Sequence, residues 1–214
     1  MRLVRLMAAC VVGAGSVVGL AAAPAAAATW TVSGGTAASG HGRTDFKNTT
    51  AGVTLATCRD SSFTSSFTNG VGLPGAGIGQ MLTWSFHETG LPAGLCTAGP
   101  TGFTVSVVAI GLPYVFNAVG YNAISQTTTG TLTGLRFSLN SPADNCVVTV
   151  GGPGGTTGTL NWSLQGNQLT FSGGNLTAYS VSSSCDPTAI NGGDSISANG
   201  TYTVSPSTLK ITSP

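Results

Sequence analysis

The sequence predicts an all-β protein, an antiparallel β-sandwich of about a dozen short strands, with a closed β-barrel as the alternative architecture. Three observations carry that reading. Apolar and polar residues alternate along most of the chain with the two-residue period of a half-buried strand. Clusters of Gly, Asn, Pro and Ser interrupt the alternation at short intervals. No window of a dozen residues joins a helical period to helix-forming residues; Thr and Val dominate while Lys and Glu are scarce.

Residues 1–28 stand apart from this pattern. Arg2 and Arg5 give a positive start, Leu6 to Ala22 an apolar run, and Ala26-Ala27-Ala28 a small-residue cleavage site, so the stretch reads as a secretory signal peptide cut after Ala28. A membrane anchor is the competing reading, but Gly13, Gly15, Ser16 and Gly19 break the run. Cys10 would leave with the signal. Residues 29–214 then form a single all-β domain, with no further uninterrupted apolar stretch long enough for a transmembrane helix.

The strands follow in order. Val53 to Cys58 and Phe63 to Phe67 come first. In "IGQMLTWSFH", alternation assigns Ile78, Leu82, Trp84 and Phe86 to one face and Met81, Thr83, Ser85 and His87 to the other. Phe103 to Ile110 is the next strand. "LRFSLN" sets Leu135, Phe137 and Leu139 against Arg136, Ser138 and Asn140; Leu132 falls out of phase, and Gly134 is where a bulge restores register. After Cys146 to Val150, "LNWSLQ" sets Leu160, Trp162 and Leu164 against Asn161, Ser163 and Gln165. Gln168 to Ser172, Leu176 to Val181, Ser197 to Val204 and Leu209 to Thr212 complete the set. The connectors "GGPGG", "QGNQ", "SGGN" and "NGGD" carry turn chemistry.

Four cysteines remain beyond the signal. In an exported chain an even number points to disulfides. Separations of 38 residues from Cys58 to Cys96 and 39 from Cys146 to Cys185 favour pairing neighbours, which closes two nearly equal loops. Each bridge would stabilise by about 4 kcal/mol on the chain-entropy estimate. Metal binding by these cysteines fails on spacing, because there is no Cys-x-x-Cys and no His close by in sequence.

The order of a Cys, the Gly-rich "GVGLPGAGIGQ", a second Cys, "FTVSVVAIGLPYVFNA", "TGTLTG" and "NGGDSISANGTYTVSP" resembles a group of small secreted β-rich proteins from actinobacteria. The likeness runs from about Val53 to Pro206. Its motifs are Gly, Cys and strand-pattern residues, so it implies a fold and a compartment and assigns no chemistry.

Charges are 6% of the sequence, whereas 41% is hydrophobic. That balance folds, yet offers no basic stripe for nucleic acid and no acidic cluster for cations. His87-Glu88 lacks the second His of a zinc helix and reads as a polar pair at a strand end. His41, near Arg43 and Asp45, could join a triad only by geometry that sequence does not give. Ser207 and Lys210 formally match Ser-x-x-Lys, but on a strand they point to opposite faces. Trp84 and Trp162 fall in phase with buried neighbours; Trp30 is the tryptophan with a fair chance of exposure.

The stretch "TNGVGLPGAGIGQM" contains Gly70-x-Gly72-x-x-Gly75, followed by Gly77 and Gly79. A dinucleotide loop would need a helix next and an acid about 20 residues on; a strand follows, and Glu88 comes too soon. The run instead reads as a long, tightly folded turn near the Cys58–Cys96 bridge. With Trp30, the glycines Gly70, Gly72, Gly75, Gly77 and Gly79 are the candidate contact surface. The sequence thus points to a secreted or loosely envelope-associated, non-catalytic protein without metal or cofactor, with a structural or surface-interaction role toward envelope components or another protein. An extracellular binder of an apolar or lipid ligand, held in a barrel or inter-sheet cavity, is the alternative, and an oligomeric envelope pore the second alternative.

Overall fold

Sixteen strands, all paired antiparallel, make up the described part of the chain, residues 29–99 and 103–214 of a computed structural model. They are β1 (Trp30–Ser33), β2 (Ala37–Asn48), β3 (Val53–Phe67), β4 (Gly70–Leu73), β5 (Gly79–Ser85), β6 (Leu95–Ala98), β7 (Phe103–Ala109) and β8 (Tyr114–Asn122). Then come β9 (Thr127–Leu135), β10 (Phe137–Ser141), β11 (Cys146–Gly151), β12 (Gly158–Gln165), β13 (Gln168–Ser172), β14 (Thr177–Val181), β15 (Ile196–Ser205) and β16 (Lys210–Thr212). The described residues hold no α-helix, only a 3-10 turn at Pro153–Gly155. The signal peptide expected over residues 1–28 lies outside them.

A 13-stranded sheet runs β14-β11-β10-β7-β5-β8-β9-β12-β13-β15-β2-β3-β6, and a separate three-stranded sheet runs β16-β1-β4. A further pairing of β3 with β5 closes the path from β5 through β8, β9, β12, β13, β15, β2 and β3 into a ring. The ring is not a regular barrel. The first residues of β5 pair with β8, while Ser85 at its end pairs with Val108 of β7, so the sheet splits there and the second layer folds across. The result is sandwich-like, as the alternation predicts.

Aromatic side chains fill the interior. Phe46, Phe63, Trp84, Phe86, Phe116, Phe137, Phe171 and Tyr202 are all buried. They meet mainly edge to face: Phe46 lies 5.3 Å from both Phe86 and Phe137, and Phe63 lies 5.2 Å from Tyr202 between ring centroids. Leu160, Trp162 and Leu164 point inward and Asn161 and Gln165 outward, as the pattern requires.

Bulges explain where simple alternation fails. Leu135 pairs with Gly158 but Thr133 with Thr159, which leaves Gly134 as the extra residue at φ 92°, the bulge anticipated from the sequence. A second bulge overturns an expectation. Thr64 pairs with Thr83 and Ser65 with Met81, so Leu82 is skipped; Met81 is fully buried and Leu82 is 45% exposed, the reverse of unbroken alternation. The predicted strands Val53 to Cys58 and Phe63 to Phe67 are one continuous β3, in which Arg59 and Asp60 bulge opposite Arg43. Strands β1, β2, β4, β6 and β8, and most of β9, were absent from the predicted set, which raises the count to sixteen.

Both predicted disulfides form, Cys58–Cys96 with Cα atoms 4.8 Å apart and Cys146–Cys185 at 4.5 Å. The first joins β3 to β6 and the second joins the start of β11 to the segment after β14. Strand β14 is an end of the large sheet, and the second bridge ties the segment after it back to β11; β6 is paired on both sides, with β3 and with β7, so the first bridge lies within the sheet.

Candidate functional site

The glycine run is a strand followed by a docked turn. Gly70–Leu73 forms β4 on β1, with Val32 opposite Gly70 and Trp30 opposite Leu73. Beyond it, the Thr68 amide donates to the Ile78 carbonyl at 3.0 Å and closes the turn. That turn is fastened to β8: the Ala118 amide donates to the Gly75 carbonyl at 2.8 Å, and the Gly77 amide to Asn117 Oδ1 at 2.9 Å. This docking accounts for a length beyond what a hairpin needs. The run does not lie near the Cys58–Cys96 bridge. Gly79 pairs with Phe67, nine residues along β3 from Cys58, which is about 30 Å of strand.

Trp30 is buried, which corrects the expectation of an exposed ring. It packs where a Cβ on Gly75 would come within 2.7 Å of Trp30 Nε1 and 2.5 Å of the Ala118 carbonyl oxygen, so only glycine fits there. Gly79 is buried, Gly70 and Gly75 are half-buried, and Gly72 and Gly77 face open solvent. Of the candidate contact residues, Gly72 and Gly77 present free surface, next to Val71 at 78% exposed.

The titratable residues singled out in the sequence find different partners. His41 Nε2 meets Asp60 Oδ1 at 2.6 Å, and both side chains face solvent. Asp45 instead accepts from Arg43 Nε at 2.7 Å and from the Thr57 hydroxyl at 2.8 Å. Glu88 is a buried acid, which its place at a strand end did not reveal. Its carboxylate accepts from Arg59 Nη1 at 2.8 Å and from the Arg59 amide at 3.1 Å, so it fastens the β3 bulge beside the first disulfide. Ser207 precedes β16 and lies outside any strand. Among the described residues, no cluster of three or more His, Cys, Asp or Glu side chains could hold a metal ion.

Two surfaces remain as candidate sites. The first is the outer face of the ring. Cross-strand pairing lines up Thr129, Ser163, Thr170 and Thr201 in one row across β9, β12, β13 and β15, and Thr127, Gln165, Gln168 and Thr203 in the next. A third row carries Asn117, Thr131, Asn161 and Ser172 from β8 to β13. No charged side chain interrupts these rows; Arg43 and His41 border the first two, opposite Thr201 and Thr203. The second surface is a groove of about 330 Å³ between the second layer and the loop after β14, with Val105, Leu139, Val148 and Ile190 in its lining. The centre of the ring is closed: the void among Phe63, Phe67, Phe116 and Trp162 measures about 10 Å³.

No protein-family model matches the chain, and no curated protein and no solved structure matches it significantly.

Proposed function

We propose that the chain is an exported, non-catalytic protein that works through the uncharged outer face of its ring, adhering to neutral, hydroxyl-rich polymer of a cell envelope. The observation that carries this reading is the set of hydroxyl and amide rows across β9, β12, β13 and β15. Rows about 4.8 Å apart across strands, repeating about every 7 Å along them, offer many weak donors and acceptors at once. That suits a polymer better than a small anion or a nucleic acid, since Arg43 at the border of the face is already paired with Asp45 and no basic stripe crosses the rows. The leader over residues 1–28 and the resemblance to secreted actinobacterial β-rich proteins support export from such a cell, as do two disulfides, which persist in oxidising compartments.

The test is retention on insoluble envelope material from the producing cell. The purified protein should sediment with it in salt and be released by soluble neutral polysaccharide, and Thr129→Lys with Thr170→Lys should weaken retention without unfolding the chain. Recovery entirely in the supernatant would sink the reading.

Of the two alternatives, the apolar-ligand reading has the groove in its favour. Its ligand would lie there and not in the ring centre, where a void of about 10 Å³ leaves no room. A lipid-facing pore would need apolar side chains outside and polar ones within, and the ring has aromatic residues inside and Thr, Ser, Asn and Gln outside.

A further inference from the structure

We propose that the groove between β7, β10, β11 and the loop after β14 binds a small cationic amphiphile, with its apolar chain along the groove and its charged head beside Asp144 and Asp186. This goes beyond the reading of the outer face, since no groove residue belongs to the hydroxyl and amide rows.

Apolar contact comes first. Val105, Leu139, Val148 and Ile190 form a packed apolar floor, and the surface a ligand can touch comes from the half-buried Val53, Leu55 and Ala98 and from Phe103, which at 55% exposed forms a wall. The volume of about 330 Å³ falls at the lower end of the roughly 300–1,000 Å³ found for small-ligand sites. A folded partner cannot enter such a groove, whereas an alkyl chain can.

Charge then selects the head group. The lining contains two carboxylates, Asp144 and Asp186, and no Lys, Arg or His. Among the described residues neither forms an ion pair. Both are held below the usual carboxylate range by hydrogen bonds from their own loops. Asp144 has the Ser141 side chain close by and accepts from the Cys146 amide at 3.3 Å, while Asp186 accepts from the Thr188 amide and hydroxyl, both at 2.8 Å. Their common position is covalently fixed. Asp144 lies two residues before Cys146 and Asp186 directly follows Cys185, so the disulfide, with Cα atoms 4.5 Å apart, holds the two segments that carry these anions together in the groove's lining. Two unpaired anions next to an apolar channel would repel an anionic amphiphile and attract a cationic one.

Three probes with the same chain separate the terms: decyltrimethylammonium, decyl glucoside and decanoate, titrated calorimetrically below micelle formation. The ammonium should bind with one-to-one stoichiometry and roughly tenfold more tightly than the glucoside, with the advantage shrinking in salt, and decanoate should bind most weakly. Asp144→Asn with Asp186→Asn, both at exposed positions, should reduce ammonium binding to the level of the glucoside while leaving glucoside binding and envelope retention unchanged. Ala98→Trp, which fills the groove from its half-buried wall, should abolish uptake of all three, with circular dichroism confirming the fold. The proposal is overturned if the native protein takes up none of the probes, if glucoside or decanoate matches the ammonium, or if ammonium binding survives Ala98→Trp.

Discussion

Tyr202 joins three strands through its ring and its hydroxyl. It receives the Trp84 indole N–H at 2.7 Å, exchanges a hydrogen bond with the Thr44 hydroxyl, and packs its ring 5.2 Å from Phe63. Replacing it with Phe keeps the ring but leaves the Trp84 donor and the Thr44 hydroxyl buried without that partner. Such orphaning costs about 1–3 kcal/mol, so Tyr202→Phe should lower the denaturation midpoint by that amount without changing the denaturant slope. The same burial pushes the phenol up to about 12 from 10.0, and Tyr114, whose hydroxyl donates to the Arg136 carbonyl at 2.6 Å, is pushed up to about 12 as well. A raised phenol binds its proton more tightly folded than unfolded, so its stabilisation is complete below pH 10 and lost as the pH climbs from about 10 to about 12. Unfolding monitored against pH should show stability falling in that window. The tyrosinate absorbance of these two residues should appear only as the fold is lost; titration of Tyr114 and Tyr202 near pH 10 in the folded protein would contradict the burial account. At Gly75 the constraint is steric. Ala there meets a backbone carbonyl at 2.5 Å, so Gly75→Ala should cost about 1–3 kcal/mol and shift Trp30 fluorescence, whereas Gly192→Ala, at a negative φ with open space around it, should not.

At the scale of elements, the two disulfides do different work: Cys58–Cys96 joins β3 to β6, a strand already paired on both sides, whereas Cys146–Cys185 acts where the large sheet ends in a free edge. Strand β14 pairs only with β11 in the sheet, and the Cys146–Cys185 bridge secures the segment that follows it. Replacing both cysteines by Ala should cost up to about 4 kcal/mol and raise amide exchange first over residues 177–190, with the ring still protected. Uniform loss of protection would mean that the bridge supports the whole fold and not its edge. The pairing was legible in the sequence because two similar separations single out one of three combinations. Strands with strong apolar alternation, such as β12 with Leu160, Trp162 and Leu164, were legible too, as was the Gly134 bulge. Strand β2 was not. Its inward positions include Ala38, Gly40, Thr44 and Asn48, small or polar residues that carry no alternation signal, and it is a strand because β3 and β15 pair with it on both sides. Leu82 misled for a related reason: nothing local marks a bulge whose cause is the register of β3. The candidate sites stood between these cases. The outward Asn161, Ser163 and Thr170 could be read as polar one strand at a time, but rows and groove arise from pairings across the sheet that no local pattern encodes.

For the whole molecule, the division between inside and outside is sharper than the composition suggests. With charges at 6% of the sequence, solubility falls to hydroxyls and amides outside, while stability falls to aromatic rings inside. Phe171 is one of the rings that reach furthest across that interior. Its centroid lies 5.1 Å from Trp84, 5.7 Å from Tyr202, 6.3 Å from Phe63 and 6.5 Å from Phe116, so it joins residues from β5, β15, β3 and β8 across the ring. Because the ring closes through few pairs between β5 and β8, these contacts and not the ladder alone hold its two sides together. Phe171→Ala should therefore cost about 3–5 kcal/mol, whereas Phe171→Leu, which keeps most of the volume, should cost markedly less. The void left by the ring should admit a small apolar probe such as benzene or xenon, which the parent's neighbouring space of about 10 Å³ cannot hold. If the parent bound such a probe in its centre as well as Phe171→Ala does, the interior would be a ligand cavity in its own right, and the role assigned to the outer face would have to move inside the ring.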